Sequence, residues 1–185
     1  MVLAAYIALS ITGTLAAAKA SGWLRWWIAY DVLMALVFKL ATVLIHNHRI
    51  AMQVYKLGWM IGEPIGVALV AGAVLQVAPL RRVPYFAAPA LAVQWWAFSF
   101  PDRWPGQWLQ FEMHTIAFCY LLLGLSLIPA IKSLTAAALS AFLLGTAAMY
   151  YPAPWAPFVR EWLMWWQSGC YLAMAGASFR REGVA

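Results

Sequence analysis

Charge is scarce in this chain, and negative charge scarcest. Of 185 residues only 10% are Asp, Glu, Lys or Arg, and six of those are acidic. A soluble domain of this length carries about 25% charged residues. The deficit argues against a surface that faces water throughout. Cysteine is almost missing as well. Cys119 and Cys170 stand inside apolar stretches, where they read as small buried residues, and nothing in the sequence supports a disulfide between them. There is no long linker, charge block or low-complexity tract. There is also no HExxH, nucleophile elbow, CxxC, phosphate-binding glycine loop or pair of aspartates within the apolar runs. An enzyme is the least supported class on that account, although membrane transferases do work with dispersed polar residues.

What remains is apolar residue in long runs. The chain is 65% hydrophobic, and several runs approach the roughly 20 residues needed to cross about 30 Å of hydrocarbon. The runs are continuous and rich in Ala and Leu, unlike the short alternating strands of a membrane β-barrel. The expectation is an all-α, single-domain, multi-pass membrane protein, a bundle of seven transmembrane helices. The spans fall at Val2–Ala18, Trp26–His46, Ile50–Ala78, Val83–Phe100, Trp108–Ile128, Ser133–Tyr151 and Phe158–Phe179. Pro79, Pro101, Pro129 and Pro152 each mark a helix end, since proline lacks an N–H donor. Ala18-Lys19-Ala20 resembles a signal-peptidase site, but no basic region precedes the apolar stretch, so the first run is read as a retained span.

The net charge of +6 would suggest nucleic acid in a soluble protein. Here the basic residues lie between apolar runs, so nucleic acid is not expected and orientation is the simpler cause. The loops after spans 1, 3 and 5 and the C-terminal tail hold Lys19, Arg25, Arg81, Arg82, Lys132, Arg180 and Arg181; the alternate loops hold Arg49, Arg103 and Arg160. Seven against three places the N-terminus outside and the C-terminus in the cytoplasm. Tryptophan fits the same frame. Trp23, Trp26 and Trp27 fall near the inner interface, and Trp95, Trp96, Trp104, Trp108, Trp155 and Trp162 near the outer one. The implied partner is the lipid bilayer of a bacterial inner membrane, with other membrane subunits a further option; a homo-oligomer is not indicated.

Small residues recur every four positions at Gly58, Gly62 and Gly66, at Ala137, Ala141 and Gly145, and at Gly169, Ala173 and Ala177. Such stripes let helices approach closely, and they are expected to pack within the bundle.

Against this apolar background Glu63 stands out. A charge at a span's centre costs about 2.5–3.5 kcal/mol on insertion scales, so Glu63 is expected to face the bundle or a wet cavity. Pro64 beside it leaves the Met60 carbonyl without its usual donor and disfavours helical geometry at Glu63. "GEPIG" is therefore a candidate kink. Lys39, roughly 10 Å deep in span 2 at 1.5 Å per residue, is the expected partner of Glu63, with Lys56 a rival. Asp31 reads as a solvated acid at the inner interface and receives little weight. His46, His48 and His114 are weak candidates for a metal or proton site. One interior histidine does not make a haem site, and no cofactor is expected.

The segments "RWWIAYDVLMALVFKL" and "YKLGWMIGEPIGVAL" resemble a pattern in small bacterial seven-helix membrane proteins of uncharacterised role. These share a Tyr-x3-Trp-x3-Glu motif, matched here by Tyr55, Trp59 and Glu63. The resemblance implies only that these three residues share a helical face. Two functional classes lead. One is a non-catalytic sensor, assembly factor or complex subunit. The other is a small ion- or proton-coupled transporter or channel using Glu63.

Overall fold

The protein is described here from a computed structural model, which covers residues 2–40, 44–47, 50–51, 53–54, 61–78, 108–150 and 156–182. Among these residues the chain is all-helical, with six α-helices: α1 (Val2–Lys19), α2 (Gly22–Met34), α3 (Glu63–Val77), α4 (Trp108–Ser126), α5 (Leu134–Tyr150) and α6 (Ala156–Glu182). A π-helical segment, Ala35–Leu40, continues α2, and a 3-10 turn, Ile128–Ala130, precedes α5. Each helix packs on its neighbour in sequence, and α6 returns onto α1, so the contacts close into a ring around a common core.

The helix ends follow local chemistry. Between α1 and α2 the chain turns in two residues. Ser21 is extended, and Gly22 takes φ +56°, a left-handed conformation that a Cβ disfavours. Gln76 of α3 then caps α2 from a distance. Its Oε1 accepts from the Leu24 N–H at 3.2 Å, and its Nε2 donates to the Ser21 carbonyl at 3.0 Å. This satisfies a first-turn donor that would otherwise lack a partner. The helix α3 stops at Val77 because Ala78, which precedes Pro79, is extended at φ −137° and ψ 98°. At the α4–α5 turn, Pro129 sits in the 3-10 segment, where a missing N–H costs little.

The core centres on three aromatic rings from three helices. Trp27 meets Phe142 edge-on, with centroids 5.0 Å apart, and Phe142 meets Tyr171 at 5.1 Å. All three rings are fully buried, with Leu9, Ile116, Leu139 and Val70 around them. Trp27 therefore is not part of an interfacial belt with Trp23 and Trp26. Those two are exposed, while Trp27 faces inward with Leu24, Ile28 and Val32 at helical spacing.

The seven-span transmembrane bundle expected from the sequence is corrected by this architecture, and the outside and cytoplasmic placement of the termini falls with it. Among the described residues no helix is long and apolar enough to cross a membrane. Two of the apolar runs read as single spans change geometry among the described residues. Instead of running to His46 in α-geometry, α2 has 13 residues, about 20 Å, before it passes into π-helix. Instead of starting at Ile50, α3 has 15 residues, about 22 Å, from Glu63. The 27 residues of α6 are long enough, but they include Arg160, Glu161, Gln167, Arg180 and Arg181. The expected fourth span, 83–100, lies outside the described residues.

Candidate functional site: a buried acid–tyrosine cluster

Both breaks in α-helical geometry meet at one place. Ile61 and Gly62 form a π-type turn just before Glu63, and Pro64 occupies the first turn of α3. The end of α2 lies against this turn, with Met34 beside Gly62. The Tyr30 hydroxyl donates to the Gly62 carbonyl at 2.8 Å. The irregular start of α3 is thus held by a side chain of α2 as well as by its own backbone.

Glu63 points inward and is only 8% exposed. Its Oε2 accepts from the Tyr120 hydroxyl of α4 at 3.3 Å. One turn further along α2 from Trp27, Asp31 accepts from the fully buried Tyr171 hydroxyl of α6 at 2.6 Å. That length is typical of a hydroxyl donating to a carboxylate. The two pairs form one electrostatic unit. Burial first, then the Glu63 and Asp31 charges, pushes the Tyr30 phenol up to about 12. Burial, then the same two carboxylates, holds Tyr120 well above the usual range, and burial followed by Asp31 does so for Tyr171. All three phenols therefore stay neutral donors, as a carboxylate in low dielectric requires. Four helices supply this unit: α2 gives Tyr30 and Asp31, α3 Glu63, α4 Tyr120 and α6 Tyr171.

The cluster can hold carboxylates away from water and donate hydroxyl hydrogen bonds to them. Neither cysteine supplies it with a thiolate. Cys119 and Cys170 are both free and buried, and burial raises each thiol to about 11, so neither is a thiolate at neutral pH. Among the described residues no group of three His, Cys, Asp or Glu could hold a metal ion. His46 is exposed, its Nδ1 3.0 Å from the Leu44 carbonyl, and His114 is half-buried in α4. His48 lies outside the described residues, as do Tyr55, Lys56 and Trp59. The backbone of Lys39 belongs to the π segment, but its side chain, and so its pairing with Glu63, lies outside the described residues. Pro64 is half-buried at the start of α3.

Asp31 was the residue misjudged by sequence reasoning. It is half-buried and bonded to a core tyrosine, not solvated at an interface. A signal was present: Leu24, Trp27, Ile28, Asp31 and Val32 share one helical stripe, so the burial of its apolar members places Asp31 on the inner face. Tyr30, Tyr120 and Tyr171 carried no comparable signal, since tyrosine suits both a core and an interface.

No protein-family model matches the chain, and no curated protein or solved structure is significantly similar to it.

Proposed function

We propose that the protein is a non-catalytic component, a sensor, assembly factor or subunit of a larger complex, which works against a lipid bilayer through its apolar helix faces. One observation carries this reading: large apolar side chains lie on the outside of the molecule as well as in its core. Glu63, Thr12, Ser140, Thr146, Gln167 and Ser168 are buried, while large apolar side chains lie outside. Leu3, Ile7, Ile11 and Leu15 make a stripe along α1 at four-residue spacing, 54%, 51%, 57% and 52% exposed. Trp162, Trp165, Trp166 and Leu172 expose a second face on α6. Apolar faces this extensive mark contact with lipid or an apolar partner. The reading asks for apolar contact and not for helices that cross the bilayer. Inside, the buried polar groups satisfy one another, Gln167 Nε2 donating to Thr146 Oγ1 at 2.9 Å and Ser140 Oγ to the Gly124 carbonyl at 2.8 Å.

The test is fluorescence of the exposed tryptophans in vesicles containing brominated acyl chains, together with behaviour in aqueous buffer. Quenching by the brominated lipid and a requirement for detergent are expected. A monodisperse, detergent-free protein that no brominated lipid quenches would overturn the reading.

A further inference from the structure

A polar cleft of about 270 Å³ opens at the end of the bundle where α1 ends and α2 and α5 begin. Its polar lining comes from Lys19, Ser21, Gln76, Ser133, Thr135 and Ser178. It contrasts with a groove along the outside of α2, whose walls include Trp23, Trp26, Leu33 and Leu69. Four of the six polar groups are hydroxyls, one is an ammonium and none is a carboxylate. Ser21 makes no capping bond to α2. Gln76 is held in place by its two bonds to the α1–α2 turn, so the cleft wall is fixed before any ligand arrives. The first turns of α2 and α5 adjoin the cleft and add the positive ends of their dipoles. Arg25 and Lys132 lie next to lining residues in sequence, and Arg180, Arg181 and Glu182 follow Ser178 on α6.

The geometry points to a binding site for a phosphate group, carried by a small phosphomonoester or by a lipid headgroup. The hydroxyls of Ser21, Ser133 and Thr135 around one ammonium suit an oxyanion with several acceptor oxygens, while that of Ser178 already donates to the Met174 carbonyl at 3.4 Å. A metal cation would need carboxylate or carbonyl ligands, and the side chains of the lining offer only one amide carbonyl, which already accepts from Leu24. The volume corresponds to several waters at about 30 Å³ each, enough for a phosphate and the group attached to it. This site is separate from the acid–tyrosine cluster, and it does not depend on the bilayer reading.

The full chain in neutral detergent is titrated with inorganic phosphate and with glycerol phosphate at constant ionic strength, with melting temperature as readout. In a second arm it is placed in nanodiscs of phosphatidylcholine with or without phosphatidic acid. Lys19→Met and the pair Ser133→Ala with Thr135→Val are compared with the parent. Saturable stabilisation by the soluble phosphates, weakened about tenfold in apparent affinity by either variant, supports the site with a free ligand. Stabilisation by phosphatidic acid alone, lost in the same variants, supports the site with a headgroup. The proposal is overturned if neither arm stabilises the parent. It is equally overturned if chloride matches phosphate, or if variants that melt like the parent without ligand respond to phosphate as the parent does.

Discussion

At the scale of single residues, two carboxylate–tyrosine pairs of unequal quality invite comparison. The Tyr171–Asp31 bond is 2.6 Å long and the Tyr120–Glu63 bond 3.3 Å. Hydrogen bonds to charged groups contribute about 1.5–3 kcal/mol. Tyr171→Phe is expected to cost stability in that range, and Tyr120→Phe less; chemical unfolding in detergent measures both. A double-mutant cycle of Tyr171→Phe with Asp31→Asn reads the coupling directly, and additive effects would show the pair to be uncoupled. The same tyrosines set a limit at alkaline pH. The folded state raises all three phenol pKa values, Tyr30 to about 12, so folding favours the protonated form. The stability this contributes is fully present below the unfolded value of about 10 and is lost as pH rises towards the folded values. Phenolate absorbance should therefore appear together with unfolding, and the Phe variants should flatten that dependence. Gly22 is the third case. A Cβ there would lie 2.6 Å from Gln76 Oε1, on a backbone at φ +56°. Gly22→Ala is expected to cost about 1–2 kcal/mol; a thermal melt equal to the parent's would show that the turn relaxes freely.

At the scale of helices, the three stripes of small residues turn out to differ. On α3, Gly62 and Gly66 are buried. A Cβ at Gly66 would contact Tyr30 at 3.5 Å and the Tyr120 hydroxyl at 3.7 Å, and one at Gly62 would run into Met34. This stripe is an inner packing face, filled by side chains of α2 and α4. On α5, Ala141 and Gly145 receive Trp166, whose Nε1 donates to the Ala141 carbonyl at 3.1 Å. On α6 the stripe is mixed: a Cβ at Gly169 would meet nothing within 4 Å, while Ala173 packs on the core and Ala177 is buried. Sequence spacing made these three stripes equivalent because it records only the period and not the neighbour. Opposite outcomes follow. Gly62→Leu should lower the melting temperature, having no space for a large side chain. Gly169→Ala should raise it, since alanine is favoured over glycine within a helix by about 0.8–1.0 kcal/mol. If Gly169→Ala destabilises, the face of α6 at that position is a packing surface after all.

At the scale of the whole molecule, the exposed apolar faces make the α1 stripe the direct test of what surrounds the protein. Replacing Leu3, Ile7, Ile11 and Leu15 with serine removes exposed apolar area and leaves the buried Ala5, Tyr6, Leu9 and Ala16 of α1 in place. Lipid quenching and detergent demand should both fall, while the melting temperature in detergent changes little. Unchanged quenching would move the contact surface to another face.

The sequence by itself determined that the chain is helical and apolar, and that helices end at Pro79 and Pro129. It also marked Glu63 and Pro64 as an irregular point. These are local consequences of propensity, period and the missing proline N–H, and they need no knowledge of neighbours. The bounds of α1, α4 and α5 follow the expected spans within two residues, but the places where α2 and α3 leave α-geometry were not legible. Hydropathy runs straight through the Gly62–Glu63 junction and the α-to-π change after Met34, because a change of hydrogen-bond register leaves composition untouched. Nor could the sequence pair Asp31 with Tyr171, 140 residues away, or bring Lys19, Gln76, Ser133 and Ser178 to one cleft. Those juxtapositions exist because α6 closes the ring onto α1. Which polar group finds which partner inside an apolar bundle is decided by the packing of the whole set of helices.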